Sequence, residues 1–246
     1  MLEANARKLL KEDLNFTNAD MNKLELFRKY LIEYNKKYNL ISKSTEKVIW
    51  SRHILDSAQL IKYFDTNLNA KLADLGSGAG FPGLIIAVYN KNPKFHVKLY
   101  EKSPIKRDFL STMRMKLGLD FTIEENIYSK SISADIIVAR AFKKINKIID
   151  ISREIVKKPH KMIVLKGKNA QNEIKNVSLG SNYSYKLEKS LTDNDSKLII
   201  INVRGNEEKF YNCSHKSKRW CWKNNDSNQL SSFTVHIGPK YSYSRP

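Results

Sequence analysis

Cysteine is scarce in this chain, with only Cys213 and Cys221 among 246 residues. Two cysteines cannot build the disulfide framework that stabilises many small secreted proteins. No stretch approaches the roughly 20 consecutive apolar residues that a membrane-spanning helix requires. The first eight residues also lack the basic region and apolar core of a secretory signal peptide. We therefore expect a cytoplasmic protein.

Acidic residues are few relative to basic ones. The chain has 25 Asp and Glu against 44 Lys and Arg, which gives a formal net charge of +19. Such an excess is typical of nucleic-acid-binding proteins, because lysine and arginine near phosphates release counterions. The alternative is the codon bias of an AT-rich genome, which would also enrich lysine, asparagine and isoleucine. Charge alone leaves both explanations open.

Glycine is also sparse, with nine in the chain, yet three of them cluster at Gly76, Gly78 and Gly80. An apolar run at 72–75 precedes this cluster, and Pro82 follows it at a position typical of a helix start. The pattern predicts a strand, a glycine turn and a helix. Glycines let the backbone approach a ligand, and free N–H groups at the helix start favour polar or anionic atoms. An α/β sheet holds a nucleotide-like cofactor in this way.

Two acidic residues bear on which cofactor binds. Residues 78–83 match the Gly-x-Gly-x-x-Gly fingerprint of dinucleotide-binding proteins. Asp74, at the end of the first strand, would repel a pyrophosphate but suits the ammonium and sulfonium groups of S-adenosylmethionine. Glu101 lies about 20 residues beyond Gly80, the spacing at which an acid reaches ribose hydroxyls in either cofactor. We therefore expect S-adenosylmethionine to contact Asp74, Gly78 and Glu101, and an NAD(P)-dependent oxidoreductase is the less favoured alternative.

The first 70 residues are expected to form a helical extension packed on the core. Residues 17–20, Thr-Asn-Ala-Asp, resemble a capping box that starts a helix. Apolar residues then recur at helical spacing, namely Met21, Leu24, Phe27, Leu31, Tyr34 and Tyr38. A second helical pattern covers residues 48–64, with an inner face of Ile49, His53, Leu60 and Phe64.

Residues 71–204 alternate between strand and helix patterns and are expected to form the core domain. The predicted strands lie near 71–75, 95–101, 121–126, 134–139, 161–166, 183–189 and 197–203. The predicted helices lie near 82–90, 104–117 and 142–158. A turn-like sequence at 192–195 joins the last two strands as an antiparallel hairpin. These elements predict an α/β fold with a doubly wound, mostly parallel seven-stranded sheet of the S-adenosylmethionine-dependent methyltransferase type.

Residues 205–246 differ from the core in being polar and lacking sustained periodicity, so we expect a disordered C-terminal tail. The tail contains Cys213, His215 and Cys221, whose spacing matches no standard zinc site and lacks an evident fourth ligand. We therefore expect no bound metal. Trp220 and Trp222 would suit stacking on bases, and the alternative is that they have no role.

Several polar residues near the predicted site need an interpretation. His53, on a helical face, is interpreted as a packed and hydrogen-bonded histidine rather than a catalyst. Two interpretations stay open for Asp56: it caps a neighbouring element, or it pairs with Arg52 four residues earlier. Arg140 directly follows the apolar run 136–139. It therefore lies at the carboxyl end of a buried parallel strand, where ligands bind in such sheets.

Five segments together carry a resemblance to one family. They are Tyr-Asn-Leu-Ile-Ser at 38–42, Trp-Ser-Arg-His-Ile-Leu-Asp-Ser at 50–57, the glycine loop at 74–83, Ala-Arg-Ala-Phe at 139–142 and Leu-Lys-Gly at 165–167. From about residue 20 to residue 203, the chain resembles the small-subunit ribosomal RNA guanine-N7 methyltransferase family, also called glucose-inhibited division protein B. The glycine loop alone would fit many methyltransferases, whereas Arg-His-Ile-Leu-Asp-Ser at 52–57, combined with the Gly-x-Pro-Gly of the loop and Arg-Ala-Phe at 140–142, is far more specific.

The resemblance implies that the protein transfers a methyl group from S-adenosylmethionine to N7 of a guanine in 16S rRNA. Gly76 and Phe81 fall where the family's loop contacts the cofactor, and Ile127 and Tyr128 fall where the family's backbone holds the adenine. Arg140 matches the family's arginine beside the cofactor. The implied partner is 16S rRNA or the small ribosomal subunit, and we expect a monomer. No catalytic residue is assigned.

The chemistry of the methyl acceptor is compatible with that assignment. Methylation at carbon-5 of a pyrimidine needs a cysteine nucleophile, and both cysteines lie in the expected tail. Exocyclic amines are commonly methylated with an Asp/Asn-Pro-Pro-Tyr/Phe loop, and residues 139–142 contain no such loop. Guanine N7 has a lone pair and no proton to lose, so alignment and desolvation suffice without an obligatory general base. An S-adenosylmethionine-dependent methyltransferase acting on another substrate remains the alternative.

Overall fold

The computed structural model describes residues 2–128, 131–177 and 179–204, together with the backbone of 211–212, 220–223 and 230–233. The chain divides into two compact units, Met1–Gly205 and Asn206–Pro246. Among the described residues, no helix combines the length and the apolar character needed to span a membrane.

Two α-helices open the first unit. Helix α1 (Glu3–Glu12) was not delimited from the sequence, whereas α2 (Asn18–Tyr38) begins at the predicted capping box. The Thr17 hydroxyl accepts a hydrogen bond from the backbone N–H of Asp20 at 3.2 Å, and the Asp20 carboxylate accepts one from the Thr17 N–H at 3.0 Å. Four of the six predicted inner residues are buried, namely Met21, Leu24, Phe27 and Leu31. Tyr38, the last residue of α2, is exposed instead.

The second predicted helix is helical but irregular. A 3₁₀ turn at Lys43–Val48 is followed by a π-helix at Trp50–Leu55, the single α-turn α3 (Asp56–Ala58) and a 3₁₀ segment at Gln59–Tyr63. We call residues 50–63 the composite helix. The wider π turn, a feature frequent at functional sites, is nearly all buried.

The core sheet has seven strands, as predicted. They are β1 (Lys71–Leu75), β2 (His96–Tyr100), β3 (Thr122–Glu124), β4 (Ile136–Arg140), β5 (His160–Lys166), β6 (Tyr183–Lys189) and β7 (Lys197–Val203). Their spatial order is β3-β2-β1-β4-β5-β7-β6. Strands β1 to β5 pair in parallel, and β7 pairs antiparallel with both β5 and β6. The doubly wound fold class is therefore confirmed.

Four helices flank the sheet. They are α4 (Gly83–Tyr89), α5 (Pro104–Leu117), α6 (Ile145–Ile155) and α7 (Ala170–Lys175). Helix α5 has the predicted bounds, with Ser103 as its N-terminal cap and Gly118 in a left-handed conformation at its end. Helix α6 is shorter than predicted at both ends, because residues 142–144 belong to the loop after β4 and residues 156–158 to the loop before β5. Helix α7 was not predicted. One apolar cluster joins the N-terminal helices, α4 and α5 to one face of the sheet, and a second joins α6 and α7 to the other.

The second unit contains three short strands, β8 (Tyr211–Asn212), β9 (Trp220–Lys223) and β10 (Leu230–Phe233), in an antiparallel sheet of order β10-β9-β8. Most of residues 205–246 lie outside the described part of the chain. The expected disorder of this tail stays a prediction, as does the absence of metal at Cys213 and His215.

Candidate functional site

A cavity of about 490 Å³ opens at the carboxyl ends of β1, β2 and β4. This edge is where the strand order reverses direction between β1 and β4, the position at which doubly wound sheets bind ligands. The cavity is lined by seven of the eight residues predicted to bind the cofactor, namely Gly76, Gly78, Phe81, Glu101, Ile127, Tyr128 and Arg140. The fold thus brings together residues that are up to 64 positions apart in the sequence, counting from Gly76 to Arg140.

The loop after β1 depends on its glycines. Gly76, Gly78 and Gly80 have φ values of +76°, +57° and +100°, in the region where an L side chain is strained. A Cβ atom at position 76 would also lie 2.4 Å from Cδ2 of Phe142. The ring of Phe142 therefore packs directly on the backbone of Gly76, and only glycine allows this approach.

Most backbone N–H groups of this loop and of the start of α4 are engaged within the protein. The Gly83 N–H donates to Asp74 and the Leu84 N–H to Gly80, which corrects the expectation that the N–H groups at the helix start are free to bind a ligand. Gly76 and Ser77 donate to the carbonyl oxygen of Tyr100 at 2.9 and 3.0 Å. The N–H groups of Gly80 and Phe81 both donate to the carbonyl of Ser77. The loop is thereby fixed against β2 and lacks the donor array that a pyrophosphate requires.

Asp74 is the one predicted residue that does not line the cavity. Its side chain is fully buried beneath the loop, where Oδ2 accepts a hydrogen bond from the Gly83 N–H at 2.9 Å and Oδ1 has no partner. Burial raises the pKa of Asp74 to about 7, although the Gly83 N–H and the nearby Arg140 oppose this rise. We expected this carboxylate to face a cationic cofactor. The structure instead uses it to join β1 to the start of α4.

Glu101 lines the cavity as predicted and also organises the loops around it. Its Oε2 accepts a hydrogen bond from the Gly78 N–H and its Oε1 accepts one from the Ser103 N–H, each at 2.8 Å. A carboxylate offers about four acceptor positions, so two remain for a ligand. The side chain is thus held in place by the protein before any hydroxyl group reaches it.

The loop after β3 supplies an apolar and an aromatic side chain to the cavity. Ile127 is buried, whereas 45% of Tyr128 is exposed. The Tyr128 N–H donates to the side-chain oxygen of Asn126 at 2.9 Å, which orders the turn. Residues 129–130 lie outside the described part, so the loop is described only up to Tyr128.

Arg140, Phe81 and His53 form a contact group at the cavity wall. The guanidinium carbon of Arg140 lies 4.7 Å from the ring centroid of Phe81, a cation–π distance. The His53 ring stacks on the same phenyl ring, with centroids 5.0 Å apart. Arg140 also donates a hydrogen bond from Nη1 to the carbonyl of Arg52 at 3.1 Å. Phe81 therefore contacts both a cation and an imidazole.

His53 is a packed histidine, in agreement with the sequence interpretation. Its side chain is buried, Nε2 lies 2.9 Å from the Thr45 hydroxyl and Nδ1 has no partner. Burial lowers the pKa of His53 to about 3, and the positive charges of Arg140 and Arg52 contribute. The imidazole is therefore neutral at physiological pH and cannot act there as a general acid.

Sequence analysis missed several residues of the cavity wall, namely Leu40, Ile41, Lys102, Lys106 and Lys143. Leu40 and Ile41 belong to the 38–42 motif, to which no role was assigned. Asn35 fixes this segment, because its side-chain oxygen accepts a hydrogen bond from the Ile41 N–H at 2.8 Å. The 38–42 motif could have predicted Leu40 and Ile41 as cavity residues. No sequence pattern distinguishes the three lysines from the others in this lysine-rich chain.

Comparison with known proteins places the chain in a family. The model of the family described as rRNA small subunit methyltransferase G matches residues 20–197. Two relatives are named ribosomal RNA small subunit methyltransferase G. The one from Pelagibacter ubique is 37% identical over 198 residues, covering 78% of this chain and 92% of the relative. The one from Orientia tsutsugamushi strain Ikeda is 34% identical over 191 residues, covering 77% and 93%.

Among solved structures, a SAM-dependent methyltransferase from Aquifex aeolicus is similar, with a TM-score of 0.47 and 12% identity. The match covers 60% of this chain and 88% of that one. The resemblance stated from five sequence segments is confirmed by the family model and the relatives. The oxidoreductase alternative is thereby set aside, and the chain belongs to the rRNA small subunit methyltransferase G family.

Proposed function

We propose that this protein transfers the methyl group of S-adenosylmethionine to N7 of a guanine in 16S rRNA, using the cavity at the carboxyl ends of β1, β2 and β4. The observation that carries the proposal is the gathering of seven predicted cofactor contacts around that one cavity. Family membership makes the chain an S-adenosylmethionine-dependent methyltransferase. The assignment of individual residues and of the acceptor atom is our own inference.

The residues around the cavity fit this cofactor. The backbone at Gly78 allows close approach of a ligand, since a Cβ atom there would meet nothing nearer than 3.9 Å, whereas the ring of Phe142 covers Gly76. Glu101 retains acceptor positions for ribose hydroxyls, and Ile127 offers an apolar surface for an adenine ring. Because most of the loop N–H groups are already bonded, the site suits a cofactor without phosphates. We assign Gly76, Gly78, Phe81, Glu101, Ile127, Tyr128 and Arg140 as the cofactor-binding residues.

The reaction requires the protein mainly to position the cofactor and the acceptor base. When bound, S-adenosylmethionine supplies a methyl group on a cationic sulfur. Guanine N7 attacks with a lone pair and loses no proton, so the protein needs no general base. With its pKa lowered to about 3, His53 is a weak base, which is consistent with a reaction that needs none. The chain's own contribution is to align the acceptor and to exclude water, and alignment alone is worth about 7–11 kcal/mol in well-oriented reactions.

The rRNA partner is supported by three lysines on the cavity wall, Lys102, Lys106 and Lys143. Within the described residues, none of the three forms an ion pair with a carboxylate. Ammonium groups without a carboxylate partner, placed on the wall of this cavity, would bind backbone phosphates beside the target nucleotide. Because the deep, narrow major groove of an RNA helix hides N7, we expect the target guanine in a loop or another opened region.

The test combines calorimetry and mapping of the modified nucleotide. Purified protein should bind S-adenosylhomocysteine and not NAD. It should also add one methyl group to small subunits from a strain lacking the gene, and mass mapping should locate it on guanine N7. Methylation at another atom would refute the acceptor assignment, and failure to bind S-adenosylhomocysteine would refute the site. We also predict a monomer, which light scattering would measure, and a cytoplasmic location.

A further inference from the structure

Asp56 is a buried carboxylate to which the proposed reaction assigns no role. It begins α3 and is only 8% exposed. The sequence left open a cap or an ion pair with Arg52. Arg52 instead donates a hydrogen bond to Asp193 at 2.9 Å, whereas Oδ2 of Asp56 lies 3.8 Å from Nη1 of Arg140. The partner of Asp56 is therefore the arginine of the cavity wall.

The other oxygen of Asp56 is held by three donors. Oδ1 accepts hydrogen bonds from the Gln59 amide at 2.9 Å and from the Thr192 hydroxyl at 2.8 Å, with the Ser190 hydroxyl at 3.4 Å. A buried charge is costly unless it is paired and hydrogen-bonded. This carboxylate meets both conditions, so its position is tightly defined.

Two of the three donors on Oδ1 come from a distant part of the chain. Ser190 and Thr192 lie in the turn between β6 and β7, and the Leu191 N–H in the same turn donates to the Gln59 side chain at 2.8 Å. The turn and the composite helix are thus joined around one carboxylate. Arg140 meets that carboxylate on its other oxygen while contacting Phe81 in the cavity.

We propose that Asp56 is a positioning residue that fixes the Arg140 guanidinium at the cofactor cavity, with the β6–β7 turn holding the carboxylate. This inference rests on the proposed function, since it takes Arg140 to contact the cofactor. Burial alone would permit several rotamers of the long arginine side chain. The Arg52 carbonyl accepts a hydrogen bond from Nη1, and the Asp56 carboxylate attracts the same nitrogen as an ion-pair partner at 3.8 Å. Together they favour one orientation of the guanidinium.

A double-mutant cycle tests the proposal. Asp56→Asn removes the charge while keeping size and an acceptor oxygen, and Arg140→Ala removes the group to be positioned. We expect Asp56→Asn to weaken S-adenosylhomocysteine affinity about tenfold in the wild-type background and less than about twofold in the Arg140→Ala background, because coupled residues are non-additive. Methylation of small subunits, as kcat/KM, should follow the same pattern.

Asp20→Asn is the matched control. Asp20 is also buried, accepts hydrogen bonds from Thr17 and Lys91, and does not line the cavity. It should lower the free energy of unfolding without changing cofactor affinity. If Asp56→Asn folds poorly, Thr192→Val can replace it in the double-mutant cycle, because it removes one hydrogen-bond donor to Asp56 and keeps the carboxylate. It should weaken affinity about two- to threefold, and only when Arg140 is present.

The outcomes separate this proposal from the one on which it rests. Equal losses from Asp56→Asn with and without Arg140 would overturn the positioning role alone, as would an equal loss of affinity from Asp20→Asn. Wild-type affinity in Arg140→Ala would overturn the positioning role together with the assignment of Arg140. Absence of S-adenosylhomocysteine binding by the wild-type protein would overturn the proposed site itself.

Discussion

Gly76→Ala is the substitution whose effect the structure defines most sharply. The added Cβ meets two obstacles: a backbone φ of +76° and the ring of Phe142, whose Cδ2, Cε2 and Cγ atoms would lie 2.4, 3.1 and 3.2 Å away. The left-handed conformation costs an L residue about 1–2 kcal/mol. Overpacking a fixed ring would cost a further 1–3 kcal/mol or so.

The ring of Phe142 has a way to avoid the clash, because it is only partly buried and lines the cavity. We expect it to move into the cavity, so that the steric cost appears as lost binding. The free energy of unfolding should fall by about 1–2 kcal/mol. Affinity for S-adenosylhomocysteine should fall at least tenfold or so, equivalent to about 1.4 kcal/mol.

Gly118→Ala provides the matched control. Gly118 has a φ of +57° at the end of α5, and a Cβ atom added there would meet nothing within 4 Å. It should lose similar stability in denaturant unfolding and keep wild-type affinity in calorimetry. Adding Phe142→Leu to Gly76→Ala should restore part of the affinity. If Gly76→Ala binds as tightly as Gly118→Ala, the reasoning about this contact is wrong.

Three further predictions concern pH, charge and RNA. The pKa of His53 is about 3 in the folded protein and 6.5 in the unfolded chain, so the unfolded state binds more protons between these values. The free energy of unfolding therefore decreases as the pH is lowered through 6.5. Between pH 7 and 5 the wild-type protein should therefore lose about 2 kcal/mol more unfolding free energy than His53→Gln, and parallel curves would contradict this. Asp74→Asn should change the affinities for S-adenosylmethionine and S-adenosylhomocysteine by the same factor, because Asp74 is buried beneath the loop. If calorimetry shows weaker binding of S-adenosylmethionine alone, the Asp74 charge acts on the sulfonium and this prediction is wrong. Replacing Lys102, Lys106 and Lys143 with Gln should make the slope of log K for rRNA binding against log salt concentration shallower, by up to about 0.9 per lost phosphate contact. The same change at three lysines that do not line the cavity, Lys11, Lys116 and Lys175, should have little effect on that slope.

The local elements were predictable because their signals lie in neighbouring residues. The hairpin strands β6 and β7 have the predicted bounds, since apolar residues and a polar turn at 192–195 define them. Helix α5 has its predicted ends because Ser103 caps its start and Gly118 terminates it. The irregular composite helix was predicted only as helical, since its π and 3₁₀ turns depend on how it packs against the core.

The sequence by itself determined the sheet, the glycine loop and the family, because hydrophobic periodicity, turn chemistry and motif order are properties of short segments. Tertiary structure alone decided that Asp74 lies beneath the loop, that Phe142 covers Gly76, and that Asp56 joins Arg140 to Thr192. These contacts link residues separated by 66 to 136 positions, apart from the Asp74–Gly83 bond. No local pattern encodes such pairs. They form only in the folded chain, where strand pairing brings these residues together and buried polar groups must be hydrogen-bonded.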